Sequence, residues 1–370
     1  MTEHFFITGG TGLVGINLVT RILKVFSESR ITLLVRGSTQ AQIDARVSAI
    51  AASEGISGER IRGVRGDVLS DGCGLTTAEL TQIERSATYI VHGAATTRFD
   101  HPIEEAREIN CGGTRRVLAI AERCMEKGPL RRFVYIGTSS VSGQRAGTIT
   151  EDELEKNQRF FNTYEQSKCE SERIVRDHFG RVPSVIFRPS IIIGDSRTGR
   201  TSTFNVIYIP LRLVQRGILT FIPGDPDTKM DLVPVDWVDD AMVHIMGKDE
   251  AIGTVCHITA GPMRAARLGD VVLGATSYFD RWTPLAEPRR MEFVTREEFE
   301  RRRARARGRE EALMAQLDTL LPYISINRLF DSRTADALLE GSGIRFPAYN
   351  DYAERILAYC LKTNWGKIPA

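Results

Sequence analysis

The stretch Thr8-Gly9-Gly10-Thr11-Gly12-Leu13-Val14-Gly15 decides the fold of this chain. A short apolar run precedes it, and the residues from Ile16 to Phe26, with apolar side chains at helical spacing, follow it. A strand, a glycine-rich turn and a helix in this order form the setting in which such a loop binds a dinucleotide. The spacing predicts a tight turn at Gly9, close approach of the pyrophosphate to the backbone at Gly12, and close helix–strand packing at Gly15.

The second predicted strand, Ile31 to Arg36, ends in a basic residue. Folds that bind NAD usually place an acidic residue about 20 residues beyond the loop, where it binds the ribose 2′-hydroxyl. Here Arg36 stands in that place and Arg46 follows in the next helix. A guanidinium matches a 2′-phosphate in charge and in fork geometry, so we predict NADPH rather than NADH. The alternative is that Arg36 only faces solvent at a strand end.

Small and polar residues follow the later strands, at the edge where open α/β sheets bind ligands. Asp67 lies at the end of a third strand predicted over Ile61 to Val68, and it either accepts a hydrogen bond from an adenine amino group or starts the next turn. A strand predicted over Ser184 to Ile193 is expected to pass the nicotinamide. The other residues predicted to bind the cofactor at this edge are Val68, Ala94, Ala95, Thr96, Pro189, Ser190 and Ile191.

Tyr164 and Lys168 stand four residues apart near the start of a helix predicted from Asn162 to about Phe179. They therefore share one helix face. A free phenol has a pKa near 10, and a neighbouring ammonium is expected to lower that pKa towards the working range. A hydroxyl from Thr138 or Ser139, at the end of the fifth strand, is expected to hold a substrate oxygen beside the phenol. The alternative is that Tyr164 and Lys168 are only neighbours on a helix surface, but the order of the motifs along the chain favours a catalytic role.

Four other polar residues receive structural interpretations. His92 is interpreted as a strand residue rather than a catalytic one. Asn110 and Thr114 are expected to tie the helix that begins near Ile103 to neighbouring loops. Asp236 is predicted to be a helix N-cap.

The composition narrows the function classes. Charged residues make up 26% of the 370 residues and nearly balance at a formal net charge of +2, so no nucleic-acid footprint is indicated. The six cysteines are scattered without a CxxC pair, and neither a metal site nor a disulfide framework is predicted. No apolar run approaches a membrane span, and we expect a cytoplasmic protein without an integral membrane segment.

These motifs resemble the extended short-chain dehydrogenase/reductase superfamily, although Ser142 stands where a tyrosine often occurs. Further stretches resemble its male-sterility-type branch, which holds fatty acyl-CoA reductases and thioester reductase domains: Leu34-Val35-Arg36, Arg188 to Gly199, and Asp231 to Val238. The resemblance covers roughly residues 1–260. It implies that Thr138, Tyr164 and Lys168 form the catalytic set, with Arg36 and Arg46 at the 2′-phosphate.

The resemblance implies an NADPH-dependent reductase that converts an acyl thioester, on CoA or on a carrier protein, to an aldehyde and in a second step to an alcohol. The first alternative is an NADP-dependent ketone or aldehyde reductase, or an alcohol dehydrogenase, of the same extended type. A nucleotide-sugar epimerase or dehydratase is less favoured, because those enzymes usually hold NAD tightly. A non-catalytic dinucleotide sensor is the third hypothesis.

The predicted fold class is α/β, a Rossmann-type doubly wound parallel sheet with a smaller, mostly helical C-terminal substrate lobe. Residues 1–200 and 231–260 are assigned to the NADP-binding domain, and residues 201–230 and 261–370 to the lobe.

For each of three stretches of the lobe, the sequence leaves two interpretations open. The dense apolar residues between Gly199 and Gly224 line an acyl groove or form the lobe core. The charged run Arg296 to Arg307 meets CoA or an acidic carrier, or is a solvated helix face. An apolar stripe packs on the lobe or on a second copy in a homodimer, and consists of Leu313, Met314, Leu317, Leu320 and Leu321.

Overall fold

The computed structural model describes residues 2–204, 206–308, 311–312, 315, 317, 321–324 and 326–368. The strands are β1 (His4–Thr8), β2 (Arg30–Val35), β3 (Ile61–Arg65), β4 (Tyr89–His92), β5 (Arg132–Ile136), β6 (Gly147–Ile149), β7 (Ser184–Pro189), β8 (Ile191–Ile193), β9 (Phe221–Pro223), β10 (Lys229–Met230), β11 (Leu232–Pro234), β12 (Thr254–Ile258), β13 (Ala266–Arg267), β14 (Glu292–Val294) and β15 (Arg328–Phe330). Seven of them form one parallel sheet in the order β3-β2-β1-β4-β5-β7-β12.

Helices of the described residues lie on both faces of this sheet and in a second lobe. They are α1 (Leu13–Val25), α2 (Gln40–Ser53), α3 (Thr77–Ser86), α4 (Ile103–Arg107), α5 (Gly113–Lys127), α6 (Thr163–Arg176), α7 (Tyr208–Gln215), α8 (Val235–Met246), α9 (Gly261–Arg264), α10 (Leu268–Trp282), α11 (Arg296–Arg305), α12 (Leu321–Ile324), α13 (Arg333–Leu339) and α14 (Tyr349–Lys362). Helices α1, α2 and α8 pack on one face, and α3, α5 and α6 on the other. The predicted Rossmann-type fold is confirmed.

The strands are near-continuous apolar runs because a parallel sheet covered on both faces buries both sides of each strand. All four residues of β4, for example, are buried. In the register of the sheet, Thr8 at the end of β1 lies opposite Leu34 and His92. The carboxyl ends of three neighbouring strands therefore finish at one level, and the loops that follow them meet at one edge.

A second apolar core lies in the lobe formed by α7, α10, α11 and α14. Leu317 is buried in it and Leu321 packs against it, whereas the other three residues of the predicted stripe lie outside the described residues. Helix α13, although late in the sequence, contributes Ala335 and Leu338 to the core on the α8 side of the central sheet. The assignment of residue ranges to two domains stays a prediction.

All six cysteines are buried and unpaired. Across the described ranges, no three His, Cys, Asp or Glu side chains come together as a metal site. No helix in the described parts of the chain combines the length and the apolar character that crossing a bilayer requires.

Two local predictions were wrong. The strand predicted over Ser184 to Ile193 is two strands, since β7 belongs to the central sheet and β8 pairs with β11. Pro189 ends β7, and its missing N–H cannot continue the ladder. Asp236 is not an N-cap: Pro234 holds that position, and the Asp236 carboxylate accepts hydrogen bonds from the backbone N–H and side chain of Ser196.

A buried ion pair joins α6 to β7. Arg188 donates to both carboxylate oxygens of Glu172 at 2.8 and 2.7 Å, and both side chains are fully buried. Burial alone would raise the pKa of Glu172, but Arg188 and Arg176 hold that pKa below its usual value. The pair therefore stays ionised inside the protein and fixes the helix against the strand.

Replacing Arg188 with Met is expected to lower the free energy of unfolding by about 3–5 kcal/mol, because it leaves a buried carboxylate without its main partner. The matched control is Arg173→Met on α6, the helix that carries Glu172. Arg173 pairs with Glu155 at 2.7 Å on the surface, so its loss is expected to cost less than about 1 kcal/mol. Urea unfolding of both variants measures the difference, and equal losses would contradict this account of the helix anchor.

Candidate active site

Three of the four glycines of the loop after β1, namely Gly9, Gly12 and Gly15, differ in their surroundings. Gly9 has a φ of +76°, and a Cβ there would lie 2.5 Å from the carbonyl carbon of Gly93. A Cβ at Gly15 would lie 2.2 Å from the backbone oxygen of Gly9. Gly12 has a φ of −84°, and a Cβ there would meet only the Gly9 oxygen at an ordinary 3.5 Å. The protein's own packing thus demands glycine at two positions but not at Gly12, which faces the cavity described next.

A cavity of about 870 Å³ lies at the carboxyl edge of the sheet. It brings together every cofactor-binding and catalytic residue predicted from the sequence: Thr8, Gly9, Thr11, Gly12, Leu13, Val14, Gly15, Arg36, Arg46, Asp67, Val68, Ala94, Ala95, Thr96, Thr138, Tyr164, Lys168, Pro189, Ser190 and Ile191. Residues that are far apart in the sequence therefore lie at one site, while the role of each residue stays a prediction.

Two guanidiniums mark one end of the cavity. Arg46 donates from Nη1 to the backbone oxygen of Arg36 at 2.9 Å, which draws its side chain to the end of β2. Both residues are exposed, and no carboxylate of the described residues forms an ion pair with either one. Their positive charge is therefore directed at the solvent and the cavity rather than neutralised by the protein.

Two carboxylates near the cavity have structural partners. Asp67 accepts a hydrogen bond from the N–H of Leu69 at 3.0 Å, which fits the turn interpretation made from the sequence. Asp231 accepts from the Ser190 hydroxyl at 2.5 Å and from the N–H of Ala260 at 2.8 Å. Burial raises the pKa of Asp231 to about 6, against the effect of these hydrogen bonds. Asp231 thus fixes the point where β7 ends and β8 begins.

Helix α6 carries the phenol. Its N-cap is Asn162, whose side chain accepts from the N–H of Glu165 at 3.0 Å, so the helix begins just before Tyr164. The Tyr164 and Thr138 side chains both line the cavity. Burial raises the pKa of Tyr164 to about 12, and the neighbouring Thr138 hydroxyl acts in the opposite direction. Tyr164 is therefore a neutral hydrogen-bond donor at pH 7.

Lys168 lies one turn further along α6 and is buried. Its Nζ donates to the backbone oxygen of Ile136 at 2.8 Å and lies 4.2 Å from the centre of the Tyr135 ring. Burial lowers the pKa of Lys168 to about 7, against the effect of Glu172. The expectation that Lys168 lowers the pKa of Tyr164 was wrong for this geometry, because burial dominates both groups and shifts each towards its neutral form.

The predicted structural roles of Asn110 and His92 are confirmed. Asn110 accepts from the N–H of Thr96 at 2.8 Å and donates to the Ser167 hydroxyl at 2.8 Å, so it joins the loop after β4 to α6. The His92 ring hydrogen-bonds to the hydroxyls of Thr8 and Thr114 at 2.8 and 3.1 Å. Burial lowers the pKa of His92 to about 3, so the ring is neutral.

Sequence reasoning missed part of the cavity wall. Phe99 and Ser140 line it from loops directly after β4 and β5, and the rule that loops at strand ends form the site could have found both. Tyr323 lines it from α12 without any local signal. In the apolar stretch between Gly199 and Gly224, most apolar residues form the lobe core, and Val206 and Ile207 also border the cavity. That this border binds an acyl chain stays a prediction.

The charged run of the sequence forms α11. Phe299 is its one buried residue, and Arg302 lies with its guanidinium 4.6 Å from the centre of the Phe221 ring. Arg302 also pairs with Glu298 at 2.8 Å. The rest of the helix surface is largely exposed, and a role in binding CoA or a carrier protein stays a prediction.

A family model described as male sterility protein matches residues 7–242. The curated fatty acyl-CoA reductase wat of Drosophila melanogaster is 27% identical over 275 residues, covering 64% of this chain and 53% of that protein. The isonitrile lipopeptide synthase of Streptomyces coeruleorubidus is 26% identical over 392 residues, covering 100% of this chain and 25% of that protein. The chain thus spans about half of the first relative and a quarter of the second.

Solved structures share the fold over nearly the whole chain. The terminal R domain of the myxalamid PKS-NRPS biosynthetic pathway has a TM-score of 0.83 and 25% identity, covering 100% of this chain and 93% of that one. The reductase domain of a nonribosomal peptide synthetase from Mycobacterium tuberculosis has a TM-score of 0.72 and 18% identity, covering 99% and 92%.

Alanine substitutions at two loop glycines distinguish a glycine that packing requires from a glycine that leaves space for a ligand. Gly15→Ala is expected to lower the free energy of unfolding by about 1–3 kcal/mol, because its Cβ overlaps the Gly9 oxygen. Gly12→Ala is expected to change it by less than about 0.5 kcal/mol, because its backbone angles and surroundings accept a methyl group. Thermal and urea unfolding measure both. A Gly12→Ala variant as unstable as Gly15→Ala would show that packing, not open space, requires glycine there.

Proposed function

The chain belongs to the family of male sterility proteins, and from that premise we propose that it reduces an acyl thioester to an aldehyde with NADPH as the hydride donor. One observation carries the proposal: the glycine loop, Thr138, Tyr164 and Lys168 line a single cavity. The names of the fatty acyl-CoA reductase and of the reductase domains among the similar proteins support the same reaction class.

The residues present fit a dinucleotide. No side chain caps the first turn of α1, so its backbone N–H groups are available to an anion, and the turn contains no acidic residue. Gly12 leaves open space beside them. We assign the pyrophosphate to the loop from Thr8 to Gly15 and the 2′-phosphate to Arg36 and Arg46. Bound NADPH would supply the hydride.

The other chemistry belongs to the chain's own side chains. Thr138 and Tyr164 would donate hydrogen bonds to the carbonyl oxygen of the thioester. Both bonds strengthen as negative charge develops on that oxygen, and a cavity shielded from water increases their effect. Because Tyr164 stays protonated at neutral pH, it can donate a hydrogen bond and then a proton. When Lys168 is charged, it stabilises the phenolate that remains after Tyr164 has donated its proton.

The acyl group would reach the site already activated, on CoA or on a carrier protein. Val206 and Ile207 give the cavity an apolar border suited to an acyl chain. Alcohol formation by a second reduction is part of the proposal. We place the reaction in the cytoplasm, because the six unpaired cysteines suit a reducing compartment.

Purified protein is expected to consume NADPH when given octanoyl-CoA, because the site combines a dinucleotide loop with hydrogen-bond donors for a carbonyl oxygen. The Tyr164→Phe variant is expected to lose at least about 100-fold in kcat/KM, since a donor to the developing oxyanion is removed. NADPH absorbance measures turnover, and fluorescence titration is expected to show retained NADPH binding in the variant.

Two results would contradict the proposal. Wild-type protein that reduces ketones or aldehydes but no thioester on CoA or on a carrier protein would assign it to the alternative reductase class. Unchanged turnover in Tyr164→Phe would overturn the assigned mechanism even if the substrate class is right.

The Arg36→Ala variant is expected to bind NADPH at least about tenfold more weakly and NADH about equally well, because only NADPH carries the 2′-phosphate. Arg62→Ala is the matched control, since Arg62 is an exposed arginine of the neighbouring strand that does not line the cavity. Fluorescence titration with both cofactors measures the ratio. An equal loss for NADPH and NADH would remove Arg36 from the 2′-phosphate site.

A further inference from the structure

Three aromatic rings form a wall of the catalytic cavity. The Phe99 ring centre lies 5.8 Å from that of Tyr164 and 6.4 Å from that of Tyr323. Tyr323 belongs to α12 in the C-terminal part of the chain, yet it lines the same cavity as Tyr164. The lobe thus places a second phenol beside the first.

Each phenol has a hydroxyl from the same turn as a neighbour in the cavity. The turn follows β5, where the Thr138 hydroxyl accepts from the N–H of Ser140 at 3.2 Å. Thr138 and Ser140 line the cavity together with Tyr164 and Tyr323, and the Thr138 hydroxyl acts on the pKa of Tyr164 as the Ser140 hydroxyl acts on that of Tyr323. Two tyrosine–hydroxyl couples therefore stand side by side in one pocket.

Buried contacts hold Tyr323 in place. The Arg328 guanidinium lies 5.5 Å from the centre of the Tyr323 ring and donates to the backbone oxygen of Gly143 at 3.1 Å. Arg328 lies in β15, which pairs with β6 and places Arg328 opposite Gly147. Next to Tyr164, the buried Glu165 interacts electrostatically with Arg328 and accepts from the N–H of Phe161 at 3.0 Å. The segment that carries Tyr323 is thereby attached to the catalytic helix and to the turn after β5.

A thioester needs a second polar contact that a ketone or an aldehyde does not. After reduction, the former carbonyl carbon carries an oxygen and a sulfur. The C–S bond then breaks, the bonding electron pair leaves with sulfur, the proton on the oxygen returns to the Tyr164 phenolate, and an electron pair of the oxygen restores the C=O bond. The departing thiolate takes its proton from water. Hydrogen bonds to the oxygen alone do not assist the sulfur.

We propose that Tyr323 and Ser140 hold the sulfur side of the thioester and donate a hydrogen bond to the thiolate as it departs. This inference rests on the proposed function and deepens it. Thr138 and Tyr164 bind the oxygen, and the neighbouring couple binds the other heteroatom of the same tetrahedral carbon. Burial raises the pKa of Tyr323, so its hydroxyl keeps its proton and acts as a donor.

The test compares two leaving groups in the Tyr323→Phe variant, which keeps the ring and its contacts with Phe99 and Arg328. Octanoyl-CoA releases an alkyl thiolate, whereas S-(4-nitrophenyl) thiooctanoate releases a stabilised aryl thiolate that needs less assistance. We expect kcat/KM to fall about 10- to 100-fold with octanoyl-CoA and by less than about threefold with the aryl thioester. Ser140→Ala is expected to show the same preference, and the double variant to lose little more than either single one.

Tyr349→Phe is the matched control. It removes the hydroxyl of a tyrosine that packs against the lobe core outside the cavity, and we expect kcat/KM for both substrates to stay within about twofold of wild type. NADPH affinity, octanoyl-CoA affinity by calorimetry in the absence of NADPH, and thermal midpoints are expected to match wild type in Tyr323→Phe.

Three results would overturn the inference. Unchanged octanoyl-CoA turnover in Tyr323→Phe, or equal losses for both leaving groups, would remove Tyr323 from the sulfur side while leaving the proposed function intact. Wild-type protein inactive on both thioesters but active on a ketone or an aldehyde would instead reject the proposed function, and this inference with it.

Discussion

The fully buried ion pair between Arg188 and Glu172 fixes α6, the helix that carries Tyr164 and Lys168, against the sheet. Two charges removed from water persist only if every polar atom around them is satisfied. Arg188 accordingly also donates to the backbone oxygen of Glu153 at 2.6 Å, and Arg176 donates to Glu172 at 2.9 Å. One pair therefore joins β7, α6 and the loop after β6. Because α6 is fixed along its length, Tyr164 at its start is directed at the turn after β5.

Burial also sets the protonation state of the site. It raises the pKa of Tyr164 to about 12, and lowers that of Lys168 to about 7 and that of His92 to about 3. The resting pocket thus favours neutral groups that donate or accept hydrogen bonds. Such a pocket interacts most strongly with charge that appears during a reaction, because its hydrogen-bond donors are already in place. This preference agrees with reduction of a carbonyl group, where negative charge develops on one oxygen.

The dinucleotide half of the site could be predicted from sequence because local geometry dictates its residues. Gly9 needs a positive φ and Gly15 has no room for a Cβ. Both positions therefore require glycine, and the sequence shows this directly. The position of Arg36 at the cavity could equally be predicted, since the end of a strand has a known place in this fold, whereas its role there stays a prediction. The break at Ser190 was missed, because an apolar run does not show that its two parts pair in different sheets.

The sequence by itself determined the fold class, the loop after β1 and the order of the Thr138, Tyr164 and Lys168 motifs. These features depend on backbone conformation and on spacings of a few residues, which neighbours in the sequence control. Only the tertiary structure decided that Tyr323 lies at the same cavity as Tyr164, and that the pKa of Tyr164 is raised rather than lowered. Both depend on which distant segments exclude water from the pocket, and long-range packing alone sets that.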